Sequence, residues 1–90
     1  MKLGRVVGRV WATAKHETLE AKKILLVRPI DFEGNAKGEA YLAIDTVDAG
    51  SGERVLVVDE GNAAGQALGL PQPPIRTVIV GVVDEIRVER

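Results

Sequence analysis

Ile44-Asp45-Thr46-Val47-Asp48-Ala49-Gly50-Ser51-Gly52-Glu53-Arg54-Val55-Leu56-Val57-Val58 decides how this chain is read. Two β-type runs flank a hinge, Ala49-Gly50-Ser51-Gly52-Glu53, built almost wholly of small residues. Such a hinge can approach another backbone, or copies of itself, very closely. It fails as a phosphate loop. A Walker loop needs a lysine after its second glycine, and none follows here. A dinucleotide fingerprint needs a third glycine and a helix, whereas position 55 is Val and the next element reads as a strand. Two readings remain at this level: a hairpin turn between strands, or a small-residue loop at a symmetry axis or pore.

Outward from the hinge, the chain alternates as strands do. Leu3 to Thr13 has period-two spacing and β-branched content, with Gly4 and Gly8 marking a bend or a close backbone approach. Lys22 to Ile30 is apolar on both faces, so both faces are expected to be covered, and Pro29 assigns its end to an edge. Asp31 to Gly38 is a turn segment. Glu39 to Val47 and Arg54 to Asp59 are the third and fourth strands. Gly61 or Asn62 caps a short helix within Glu60 to Leu70, weakened by Gly65. Ile75 to Val83 is the fifth strand. Asp84 to Arg90 alternates Ile86 and Val88 with charges and reads as a C-terminal edge strand. The expectation is a mostly β fold. It is a small five-stranded OB-like β-barrel with one short helix between strands four and five, spanning residues 1–90 as a single domain.

Composition narrows the function. Ninety residues bury only a small core, and with no cysteine there is no disulfide or thiolate metal site to staple it. Association with other copies is then an obvious source of further burial. Aromatic content of 3% leaves an aliphatic core. A net charge of −1 argues against a polyanion partner. No apolar run reaches the roughly 20 residues of a membrane span, and the N-terminus carries no signal-peptide pattern, so a cytoplasmic protein is expected.

Chemistry finds little purchase. The single histidine, His16, has no second ligand or nucleophile motif beside it and reads as a solvated turn residue. Asp45, Asp48, Glu53, Asp59 and Glu60 surround the hinge without calcium-loop spacing, so turn chemistry, capping and intersubunit pairing are the expected roles. No catalytic residue, metal or cofactor is expected. The rival for a barrel is an OB-type module binding single-stranded nucleic acid. Such modules need stacked aromatics and a basic groove, and here Trp11, Phe32 and Tyr41 fall in different segments. Trp11 reads as a packing or interface anchor.

The blocks, in order, resemble a known family. Leu3-Gly4-Arg5-Val6-Val7-Gly8-Arg9-Val10-Trp11-Ala12-Thr13 is similar to the opening of the EutN/CcmL family, the pentameric vertex proteins of bacterial microcompartments. Leu25-Leu26-Val27-Arg28-Pro29 resembles its second-strand signature, and Ile44 to Glu53 its Asp-x-Val-x-Ala-Gly-x-Gly-Glu block. Gly61-Asn62-Ala63-Ala64-Gly65 sits at its helix start, and Pro74 to Ile86 resembles its closing strand. Gly65 stands where the family usually has arginine, and Asn62-Ala63 where it has a serine pair. The resemblance implies a structural, non-enzymatic shell subunit in the bacterial cytoplasm. It forms a pentamer, or alternatively a hexamer, and meets hexameric shell proteins. It also implies an axial or pore loop of Ala49, Gly50, Ser51, Gly52 and Glu53, and a subunit interface drawn from Arg5, Trp11, Asp45, Asp48, Arg54, Asn62 and Ala63.

Overall fold

A computed structural model of the protein describes residues 1–10, 23–59 and 75–89. Five strands follow one another: β1 (Lys2–Arg9), β2 (Lys23–Pro29), β3 (Tyr41–Asp45), β4 (Arg54–Val58) and β5 (Val78–Val82). They close into a barrel in the order β1-β2-β3-β5-β4. All contacts are antiparallel except β3 with β5, which run parallel and meet at two register pairs, Ile44 with Val78 and Asp45 with Ile79.

The alternation read from the sequence is what fills the barrel. Leu25 and Val27 of β2, and Val55 and Val57 of β4, point inward and are almost fully buried. Val6, Ala43 and Ile79 complete an aliphatic interior, while Ile44 and its register partner Val78 are buried on the opposite face of the sheet. Gly4 also faces inward. A Cβ there would sit 2.4 Å from Val27 Cγ1 and 3.2 Å from the Arg28 carbonyl, so the close approach expected of a strand glycine is real at this position. At Gly8 the nearest neighbour to such a Cβ would be Leu26 at 3.6 Å, an ordinary contact.

Three expectations are revised. First, β1 does not keep one phase. A bulge between Val6 and Gly8 sets Gly8 opposite Leu26 and Arg9 opposite Leu25, whereas strict period two would have kept Gly8 on the face of Gly4 and Val6. Second, the outer face of β2 is covered only in part: Ile24 is half-buried opposite the fully buried Ile44, whereas Leu26 is half-buried opposite the exposed Leu42. Third, the described residues 84–89 form no C-terminal edge strand. β5 already has β3 on one side and β4 on the other, and a closed barrel leaves no free edge for residues 84–89 to pair with. Strands three and five are also shorter than their apolar runs. The helix expected within Glu60 to Leu70, with Asn62, Ala63 and Gly65, lies outside the described residues, as do Trp11 and His16.

Candidate functional site

The hinge between β3 and β4 is organised by one buried carboxylate. β3 ends at Asp45, whose side chain is fully shielded from solvent. Its Oδ1 accepts the Val47 N–H at 3.0 Å and its Oδ2 the Ala49 N–H at 2.9 Å. Two backbone donors are thereby turned away from the sheet, and the strand stops. Thr46 donates its hydroxyl to the Ile79 carbonyl at 2.7 Å, anchoring the turn to β5. Asp48 then takes a left-handed conformation with φ 57°, one of the few non-glycine types that tolerates it. Gly52, at φ 85°, makes the second left-handed step, with nothing near its Cα on the side-chain direction.

Lys23, at the start of β2, fastens this turn. Its ammonium lies 3.3 Å from Asp45 Oδ2 and 3.0 Å from Asp48 Oδ1, and donates to the Ala49 carbonyl at 2.9 Å. The hydrogen bond to Asp48 raises the Lys23 pKa above its ordinary value, and the same bond lowers that of Asp48. Lowered carboxylates contribute stability above their unfolded pKa, near 4, and lose it as pH falls through the lower folded value. The raised lysine contributes below its unfolded pKa, near 10.4, and loses that contribution as pH rises through its higher folded value. Asp48→Asn should therefore flatten part of the acid limb of stability while leaving a plateau through neutral pH. Urea midpoints taken from about pH 6 down to pH 2 test this; an unchanged acid limb would remove Asp48 from the account.

Of the five hinge residues, Ala49 packs into the barrel interior at 1% exposure, beside Val6 and Leu25. Gly50, Ser51, Gly52 and Glu53 form the exposed tip. Glu53 accepts the Gly50 N–H with its carboxylate, and its own N–H returns to the Gly50 carbonyl at 3.1 Å, so the tip is a closed ring of bonds. The tip is also tied to β1: Gly52 N–H donates to the Val6 carbonyl at 2.8 Å, and Val6 N–H to the Glu53 carbonyl at 2.9 Å. A cleft of about 300 Å³ opens beside it, lined by Gly8, Arg9, Lys23, Leu25 and Ser51 among others.

The residues singled out from the sequence divide in two. Asp45, Asp48 and the hinge meet at one end of the barrel. Arg5 and Arg54 lie on the outer wall beside that end. Arg5 donates to the Gly52 carbonyl at 3.0 Å and Arg54 to the Asp84 carbonyl at 3.0 Å. Lys23 was not singled out, and nothing in its local sequence marks it; only the β2–β3 register, which sets it opposite Asp45, does so. A second missed group is Tyr41, whose ring lies 5.2 Å beneath the Lys2 ammonium, itself paired with Asp59 at 2.6 Å.

These elements define a class of small β protein: a five-stranded closed barrel with an exposed, internally bonded small-residue tip at one end. Residues 1–84 match the family described as ethanolamine utilisation protein EutN/carboxysome, and the chain belongs to that family. The bacterial microcompartment shell vertex protein EutN of Salmonella typhimurium is 41% identical over 86 residues, covering 96% of this chain and 86% of that protein. The carboxysome shell vertex protein CcmL of a Nostoc species is 39% identical over 90 residues, covering 99% of this chain and 88% of that protein. Among solved structures, the GrpN pentameric microcompartment shell protein from Rhodospirillum rubrum superposes with a TM-score of 0.85 at 35% identity, over 99% of this chain and all of that one.

Proposed function

We propose that this protein is a structural subunit whose pentamers occupy the vertices of a bacterial microcompartment shell in the cytoplasm. The observation that carries the reading is the match along nearly the whole chain to shell vertex proteins, one of them described as pentameric. The task is geometric and calls for no catalysis. A flat sheet of hexagonal tiles cannot curve shut without five-fold vertices. A five-fold ring must use two different patches on each subunit, meeting head to tail with a rotation that closes. Hexameric shell proteins would meet the ring at its perimeter.

The tip Gly50 to Glu53 suits a position near the axis, where five copies converge and tolerate only small side chains. The loop's own hydrogen bonds support this placement, because a tip that needs no partner to hold its shape can be presented ready-formed to its symmetry mates. Ser51 is the better probe of the placement than Gly52. A side chain at Gly52 is strained by its positive φ whatever surrounds it, whereas Ser51 is exposed on ordinary backbone. Native mass spectrometry should give a pentamer for the unaltered protein at micromolar concentration, and lower or open species for Ser51→Trp with an unchanged thermal midpoint. A monomeric unaltered protein would overturn the vertex reading. An intact Ser51→Trp pentamer would move the tip away from the axis.

A further inference from the structure

Arg28, Arg5 and Arg54 stand directly opposite one another on β2, β1 and β4, at the register pairs Arg5 with Arg28 and Arg5 with Arg54. Residues paired in this way point to the same face, here the outer wall of the barrel, with Cβ atoms roughly 5 Å apart. Like charges so placed repel and destabilise a sheet. Each guanidinium is bonded to a carbonyl instead of a carboxylate: Arg5 to Gly52, Arg28 to Gly38 and Arg54 to Asp84, all at 3.0 Å. No carboxylate among the described residues forms an ion pair with any of the three. A guanidinium has five N–H donors in a fixed fork suited to carboxylates, so a row of three retains most of its donor capacity.

The complementary charge lies on the segment that leaves the barrel at one end of this row. Val83 donates its N–H to the Arg54 carbonyl, and the chain then runs on through residues 84–89 outside any strand. Asp84, Glu85 and Glu89 outnumber Arg87, which pairs with Glu85 at 2.9 Å, and with Arg90 following in sequence the stretch still has three carboxylates against two cations. Among the described residues, no backbone N–H from 84 to 89 makes a hydrogen bond, and Val88 is 53% exposed. Fully extended, these six residues span about 20 Å, against about 10 Å across the three strands of the row.

We propose that the arginine row Arg28–Arg5–Arg54 is the seat for the acidic segment 84–89 of the adjacent copy in the ring, an inference that rests on the pentameric reading above. The segment and the row are different surfaces of one subunit, which is the head-to-tail contact a closing ring requires. The row's mutual repulsion is relieved on assembly, and the segment gains side-chain partners that a closed barrel cannot offer it through backbone pairing. Seated in this way, the contact also makes ring formation sensitive to salt.

The test is a double-mutant cycle on the full chain, read by native mass spectrometry and analytical ultracentrifugation. One variant neutralises the segment (Asp84→Asn, Glu85→Gln, Glu89→Gln). The other, Arg28→Gln, removes the charge and leaves a shorter polar side chain on the outer wall. Each alone should raise the concentration at which the ring half-dissociates by roughly 30-fold or more. Together they should add little beyond either alone. Thermal midpoints of the dissociated subunits should not fall: the segment variant should stay level, and Arg28→Gln should stay level or rise as the row's repulsion eases. Fully additive effects, or two variants that assemble as the unaltered protein does, would overturn the inference while leaving the pentamer standing. A fall in subunit stability at unchanged assembly would place the segment on its own barrel and overturn it too. Salt-sensitive binding of a single-stranded oligonucleotide, lost in Arg28→Gln without change to the ring, would reassign the row and end the proposal.

Discussion

Asp45→Ala should cost the subunit about 2–4 kcal/mol, because a buried carboxylate with three partners is removed and two backbone N–H groups lose their acceptors. The Val47 and Ala49 N–H groups lose the acceptors that hold them at 3.0 and 2.9 Å, and Lys23 loses one of its two carboxylates. For a domain of this size that loss lowers the thermal midpoint by about 10–20 °C. Asp45→Asn keeps one acceptor oxygen and should lose about half as much. Hydrogen exchange separates this account from a general loosening. The Val47 and Ala49 amides should lose protection well before those of Val55 and Val57 in the barrel interior. A denaturation midpoint for Asp45→Ala equal to that of the unaltered protein would show that the hinge is held by its other ties, to β1, to Thr46 and to Lys23, without this carboxylate. The effect should reach assembly as well, since Ala49 and the tip beyond it take their positions from this carboxylate.

Much of this was legible in the sequence, for identifiable reasons. Val55-Leu56-Val57-Val58 and Leu25-Leu26-Val27 carry period-two and β-branched signals strong enough to place strands, and all five appear at the expected positions. The EutN/CcmL resemblance rested on block order along the chain, and the family match covers the same ground. The site was less legible, because its content lies in register. That Lys23 faces Asp45, or that Arg28, Arg5 and Arg54 share one row, follows from pairing across strands that are distant in sequence. The bulge at Val7 is similarly hidden. It depends on how β1 serves two neighbours at once, with β4 pairing from Lys2 to Arg5 and β2 continuing to Arg9. Strand ends are not legible where a side chain competes for backbone donors: Glu39 to Val47 reads as one β-type run, and the Asp45 carboxylate stops it. The tail misled because alternation alone does not make a strand; it needs an edge, and the barrel has none to give.

Gly4→Ala should be the most costly glycine-to-alanine change among the described residues, lowering stability by about 1–3 kcal/mol through overpacking. Gly4 is held between Pro29 and Val55 in the ladder, so its backbone cannot retreat without breaking register on two sides. The new Cβ would lie 2.4 Å from Val27 Cγ1, in a side chain with no solvent exposure, and 3.2 Å from the Arg28 carbonyl, which the sheet fixes. Val27 can yield only by leaving its rotamer in a full interior, and the carbonyl cannot yield at all without moving β2. The clash has a distinctive signature. Val27→Ala alone leaves a cavity and destabilises, yet in the Gly4→Ala background it removes the main obstruction. The double variant should therefore be more stable than the sum of the two single losses predicts, by an interaction energy of about 1 kcal/mol or more. Urea denaturation of the four proteins measures it. Strict additivity would mean that the strand absorbs the methyl group elsewhere, and that the glycine answers to something other than Val27. Because Gly4 directly precedes Arg5, a β1 displaced to admit the methyl group would also carry Arg5 out of line with Arg28 and Arg54. The same variant should then lose assembly more steeply than its subunit stability alone would dictate.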